Sequence, residues 1–228
     1  MADDLGYEST LYLSGVSVGQ PHQHSTLTLM ERHEVVHHDD PAADWNGKTW
    51  DATISYTVLD ILRPEHIEPR DLINLIRAKA VDSEMVMVDI SRTGVAFADD
   101  LRRLRNVFPI RLIDRAEIQK HNGFWSVPTL DVLVALQRAA SERRFTAPGH
   151  DRALRAIMSF DPEVRGEADD IVTAIASAIW WSEDPRCRKR RFTRQPPVPR
   201  TPIEADRPMT FNDALSVARA ERRRRTRI

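Results

Sequence analysis

Residues Tyr12–Arg32 read YLSGVSVGQPHQHSTLTLMER, and the reading of this stretch decides the fold. Its first half predicts a strand over 10–18. Its second half opens a strand over 25–36, with Leu27 and Leu29 alternating and Met30 close behind. Alternation of apolar and polar residues is the mark of a half-buried strand. A third strand is expected over 52–62, after the turn-rich HHDDPAADWNGKTWD with Asn46-Gly47 at its tightest point. Strands joined by turns read as a meander.

The periodicity then changes. Pro69 to Ala80 sets Leu72, Leu75 and Ile76 at helical spacing, with proline tolerated in a first turn. The run EMVMVDI over 84–90 is almost continuously apolar, as a strand covered on both faces should be. Further helices are expected over 95–106, 128–142, 151–160 and 167–181, with one more strand over 108–113. Pro128 is expected near the first helical position. The last helix carries a stripe of Ile171, Ala174, Ile175, Ala178 and Ile179. Three antiparallel strands followed by alternating helix and strand predict an α/β protein: a mixed five-stranded sheet flanked by helices.

Length and composition fit one domain with appendages. The chain has 228 residues, 41% of them hydrophobic, and a single cysteine, Cys187. One cysteine excludes an internal disulfide framework and suits a reducing cytosol. No apolar run is long enough for a transmembrane helix, and MADDLGYEST has no apolar signal core. The net charge of −1 hides an asymmetry. Residues 183–228 hold fourteen Arg and Lys against six Asp and Glu, about +8, which leaves about −9 on residues 1–182. A basic tail on an acidic body points to a polyanionic partner or an acidic protein surface, or else to a solubilising extension.

Several segments together resemble the phage terminase large-subunit nuclease, an RNase H-like family. The hydrophobic-Gly-hydrophobic pattern around Gly15, DISRTGVAFADDLRRL from Asp89, FWSVPTLDVLVALQRAASERRF from Phe124, and GEADDIVTAIASAIWW with Asp169-Asp170 match it in order. The resemblance covers roughly residues 10–182 and implies an RNase H-like domain over 1–182. A Pro- and Arg-rich linker follows over 183–208, and a basic helix over 209–228.

It also implies metal-dependent DNA endonucleolysis in viral or prophage packaging. Such a site holds two Mg²⁺ or Mn²⁺ ions about 4 Å apart on converging carboxylates. Asp89 and Asp170 would be the primary catalytic and metal residues, assisted by Asp169. An Asp at a strand end also serves as a helix cap or a partner for Arg92, and Asp is an ordinary residue at a helix start.

The departures from the family pattern bear on activity. Ser17 stands where the family has its first metal-binding Asp. Gln23 stands where some relatives carry another acid, and Thr129 where a Lys is expected. Asp89, Asp169 and Asp170 supply three negative charges, against roughly four or five in a full site. Cleavage is therefore expected to be weakened or lost. The competing expectation is an inactive DNA-binding or assembly module that uses the basic tail. Arg188, Lys189, Arg190, Arg191, Arg222, Arg223, Arg224 and Arg225 would contact phosphates. Partners implied by the resemblance are DNA and a separate terminase ATPase, portal or other phage assembly protein, in the bacterial host cytosol and without a membrane.

Two other readings are less economical. His22, His24, His33, His37 and His38 fall within seventeen residues, but without the spacing of a zinc motif. GVSVGQ also resembles an actin-like phosphate loop, with no second loop after it. The chain has no GxxxxGK[ST], so by itself it is not expected to be an ATP-driven packaging motor.

Overall fold

A computed structural model describes residues 7–19, 24–36, 52–115, 117–160 and 169–184. Three long strands come first: β1 (Tyr7–Ser17), β2 (Thr26–Val36) and β3 (Ala52–Leu62). There follow α1 (Pro69–Asp82), β4 (Met85–Asp89), α2 (Val95–Leu101) and β5 (Val107–Ile113). Then come β6 (Gln119–Lys120), β7 (Trp125–Pro128), α3 (Thr129–Ser141), β8 (Phe145–Thr146), α4 (Asp151–Met158) and α5 (Asp169–Glu183).

The strands form one sheet of order β6-β7-β5-β4-β1-β2-β3-β8. Within it, β1 pairs antiparallel with β2, β2 antiparallel with β3, β1 parallel with β4, and β4 parallel with β5. This 3-2-1-4-5 core is the RNase H-like order. Three short strands widen it from the expected five to eight. β7 extends the β5 edge, β6 caps β7, and β8 joins β3. Each of the three is four residues or fewer, too short to show a period of its own.

Helices cover both faces. On one face Leu13, Met30, Tyr56, Met85 and Met87 pack against α3, α4 and α5. On the other, Val16, Leu27, Val86 and Val88 pack against Leu72 and Ile76 of α1 and Phe97 and Leu101 of α2. The continuous burial of MVMVD follows from this double cover.

Some boundaries differ from expectation. α2 ends at Leu101 rather than near 106; the residues between form turns, and Asn106, with φ of 66°, leads the chain into β5. Pro128 is the N-cap residue of α3 and the last residue of β7, not a first-turn residue. In α5 burial is far broader than one stripe and takes in Val172, Ala176, Ser177, Trp180 and Trp181. The helix is enclosed by the sheet, α3 and α4, so nearly every side must be apolar.

Gly15 sets the height of α5 above the sheet. A Cβ there would land on the carbonyl oxygen of Ala174 in α5. The glycine pattern of this strand is thus explained by close packing, with Gly15 inside β1 rather than in a loop. The basic helix expected over 209–228 and the residues Arg188, Lys189, Arg190, Arg191, Arg222, Arg223, Arg224 and Arg225 lie outside the described residues, as do Gln23, His22, His37 and His38; of the linker expected over 183–208 only Glu183 and Asp184 are described, with Glu183 closing α5.

Candidate functional site

The parallel pair β1 and β4 ends where the strand order reverses, since the chain runs to β2 and β3 on one side and to β5 on the other. Ligands of open α/β sheets collect outside the carboxyl ends of strands at such a point. Ser17 closes β1 and Asp89 closes β4, and the two are in register. On its other side Ser17 is in register with Thr26, which opens β2. Strand periodicity turns Ser17 and Asp89 to the same face as Leu13, Met85 and Met87, the face that α5 covers. α5 starts there with Asp169 and Asp170.

The expected residues are thus brought to one end of the sheet, and Ser17, Asp89 and Asp170 are all buried. Asp169 is only partly buried. The two buried acids have different surroundings. Asp89 Oδ1 accepts the backbone N–H of Ser91 at 2.9 Å and the Ser91 hydroxyl. The Ser91 oxygen in turn accepts the Leu112 N–H at 2.8 Å, which ties this turn to β5. Burial pushes the Asp89 carboxyl above the usual carboxylate range, against these hydrogen bonds and the charge of Arg92. The resembled Thr-Gly-Val turn follows: Thr93 N–H and Gly94 N–H both donate to Ile90 O, and Gly94 has φ of 84°. That positive φ accounts for glycine just before α2.

Asp170 meets a cation. Arg63, the first residue after β3, donates from Nε to Oδ2 at 2.8 Å and from Nη2 to Oδ1 at 3.0 Å. The Thr26 hydroxyl also donates to Oδ2. The pair is well shielded, with side-chain exposures of 13% for Arg63 and 5% for Asp170. A forked guanidinium on both oxygens of a carboxylate is the strongest common form of this contact. Sequence reasoning missed Arg63, Thr26 and Ser91. Arg63 gives no local signal, because its partner lies 107 residues away.

Thr129, at the position expected to hold Lys, donates to Ile113 O at 3.3 Å. The described histidines do not converge. His33 lies 2.5 Å from Glu8, and His24 lies 3.8 Å from Glu65. Among the described residues, no group of three His, Cys, Asp or Glu side chains is placed to hold a metal ion.

A pair of divalent ions therefore does not fit the site as its residues stand. The β1 position offers a neutral hydroxyl, and Asp170 already has both oxygens on a guanidinium. Beside the Arg63–Asp170 pair opens a cavity of about 340 Å³, with Arg63, His150, Asp151, Arg152 and Ile171 among its lining.

In fold the chain is similar to large terminase nucleases. The nuclease from thermophilic phage G20c, with bound zinc, is 17% identical; the match covers 77% of this chain and 82% of that one, with a TM-score of 0.47. The Thermus phage P74-26 domain is 15% identical, over 74% and 78%, with a TM-score of 0.44. The g2p nuclease domain from bacteriophage SPP1, with bound Mn, is 9% identical, over 74% and 84%, with a TM-score of 0.43. No family model matches the chain, and no curated protein matches it. No helix among the described residues is long and apolar enough to cross a membrane.

Proposed function

We propose that this chain is a terminase-type, RNase H-like domain that acts on DNA in viral or prophage packaging, and that its phosphodiester hydrolysis is weakened or lost. The observation that carries the reading is the convergence of Ser17, Asp89 and Asp170 at the carboxyl ends of β1 and β4. Burying two acids at that end of the sheet carries a desolvation cost, which their partners Ser91, Arg63 and Thr26 offset. A cutting form would need Mg²⁺ or Mn²⁺ on Asp89, Asp170 and Asp169, and the fork of Arg63 on Asp170 opposes it.

The geometry favours the second form, a module that holds DNA or an assembly partner without cutting. Arg63 on Asp170 is the specific observation behind it. Arg63, Arg152 and His150 along the adjacent cavity would meet a phosphate, with Asp151 beside them as the opposing charge. The basic clusters at Arg188–Arg191 and Arg222–Arg225 add phosphate contacts of low sequence specificity. A separate ATPase, a portal protein or another assembly protein would be the natural neighbour, in the host cytosol.

The test is retention of duplex DNA by the full chain in EDTA at increasing salt. Binding should occur at low salt, weaken steeply as salt rises, and fall sharply when Arg188, Lys189, Arg190 and Arg191 are changed to Gln. Lack of binding at low salt would refute the DNA reading. Binding indifferent to those changes would refute the role of that cluster.

A further inference from the structure

We infer that Arg63 is the resident counter-charge of this site: its guanidinium takes, on Asp170, the place that a divalent cation takes in a full carboxylate centre. The inference rests on the terminase-type reading above for what a full centre would be. The contact itself is independent of that reading.

The geometry is that of a filled position. An ionised carboxylate has roughly four acceptor positions. Asp170 uses three of them, two on the fork of Arg63 and one on the Thr26 hydroxyl. A metal ion approaching Asp170 would have to displace the fork and leave a shielded guanidinium beside a dication. Like charges at such range in a poorly hydrated site repel strongly. The N-terminal end of α5 already supplies partial positive charge at Asp170, so the carboxylate needs no second cation.

The vacancy on β1 and the guanidinium at the end of β3 then form one compensated change. An acid at Ser17 would add a negative charge between Asp89 and Thr26, in register with both. That charge would call for cations beyond Arg63. A serine there leaves Arg63 and Asp170 balanced as a pair. Asp89 stays outside the pair, held by Ser91.

Thermal unfolding of the full chain, in EDTA and in millimolar Mn²⁺, tests this together with direct Mn²⁺ binding followed by electron paramagnetic resonance. The wild type should unfold at the same temperature in both conditions and bind no stoichiometric Mn²⁺. The double variant Ser17→Asp, Arg63→Met should gain a Mn²⁺-dependent rise in unfolding temperature and bind Mn²⁺. Arg63→Lys, which keeps the charge, should stay indifferent to Mn²⁺.

A wild type that binds stoichiometric Mn²⁺ and loses it on Asp170→Asn overturns the inference. So does a folded double variant that remains blind to Mn²⁺. If the double variant does not fold, the wild-type titration alone decides. Failure of the functional reading looks different: a chain that ignores Mn²⁺ but also ignores DNA keeps the clamp and loses the proposed role.

Discussion

The two ends of α5 both hold a carboxylate against arginine, and they do so for different reasons. At the C-terminal end, Glu183 accepts from Arg144 at 2.8 Å and from Arg138, and the Tyr56 hydroxyl donates to it at 3.2 Å. A negative charge is unwelcome at that end of a helix dipole. Although burial pushes Glu183 up, the two arginines hold it below the usual carboxylate range. Here one acid meets two guanidiniums, and the cluster ties β3, α3 and α5 together.

At the N-terminal end the dipole already favours Asp170, which Arg63 matches. Asp89, in contrast, is raised by burial and accepts its side-chain hydrogen bonds from the Ser91 backbone and hydroxyl, with no guanidinium fork on its oxygens among the described residues. A cluster built for stability neutralises each acid it buries. A cluster that leaves one buried acid raised at the end of a sheet differs from it, and a perturbed acid in such a place makes a functional-site candidate.

The contrast can be broken from either end. Asp170→Ala should have the largest effect, a loss of about 3–4 kcal/mol in urea unfolding, because it strands a shielded guanidinium. If the loss is close to zero, the clamp is not a real pairing. Gly15→Ala should cost about 2–3 kcal/mol by forcing α5 off the sheet, which also loosens both ends of the helix. Hydrogen exchange should then rise at Asp170 and at Trp181 alike; a change confined to one end would mean that the two clusters are held independently.

Glu183→Gln should cost about 2 kcal/mol at neutral pH, the value of hydrogen bonds to a charged group. The smallest effect is the pH dependence of that cost. With its folded value lowered, Glu183 adds stability above the ordinary carboxylate range and loses it as pH falls through the folded value. The difference between wild type and Glu183→Gln should therefore shrink on acidification. A difference that grew would contradict the pairing.

Much of this was legible in the chain because it is local. β1 and β2 follow from alternation. EMVMVDI could hardly be anything but a covered strand, and Asp169-Asp170 before an apolar run reads as a helix start. The residues that complete the site are not local. Arg63 sits among LRPEH with nothing to mark it, since only the meander β1-β2-β3 brings the end of β3 to the start of α5. β7 escaped notice for a related reason. Its four residues lead straight into α3, and only pairing with β5 makes them a strand. Gly15 was noticed for its motif, while its physical reason, the Ala174 carbonyl, needed the packed helix.

The central claim is that this centre keeps its acids without keeping their chemistry. Supercoiled DNA incubated with the full chain in Mn²⁺, beside Asp89→Ala, measures this most directly. The account predicts no more nicking by the wild type than by Asp89→Ala. Robust nicking by the wild type that disappears in Asp89→Ala would contradict it.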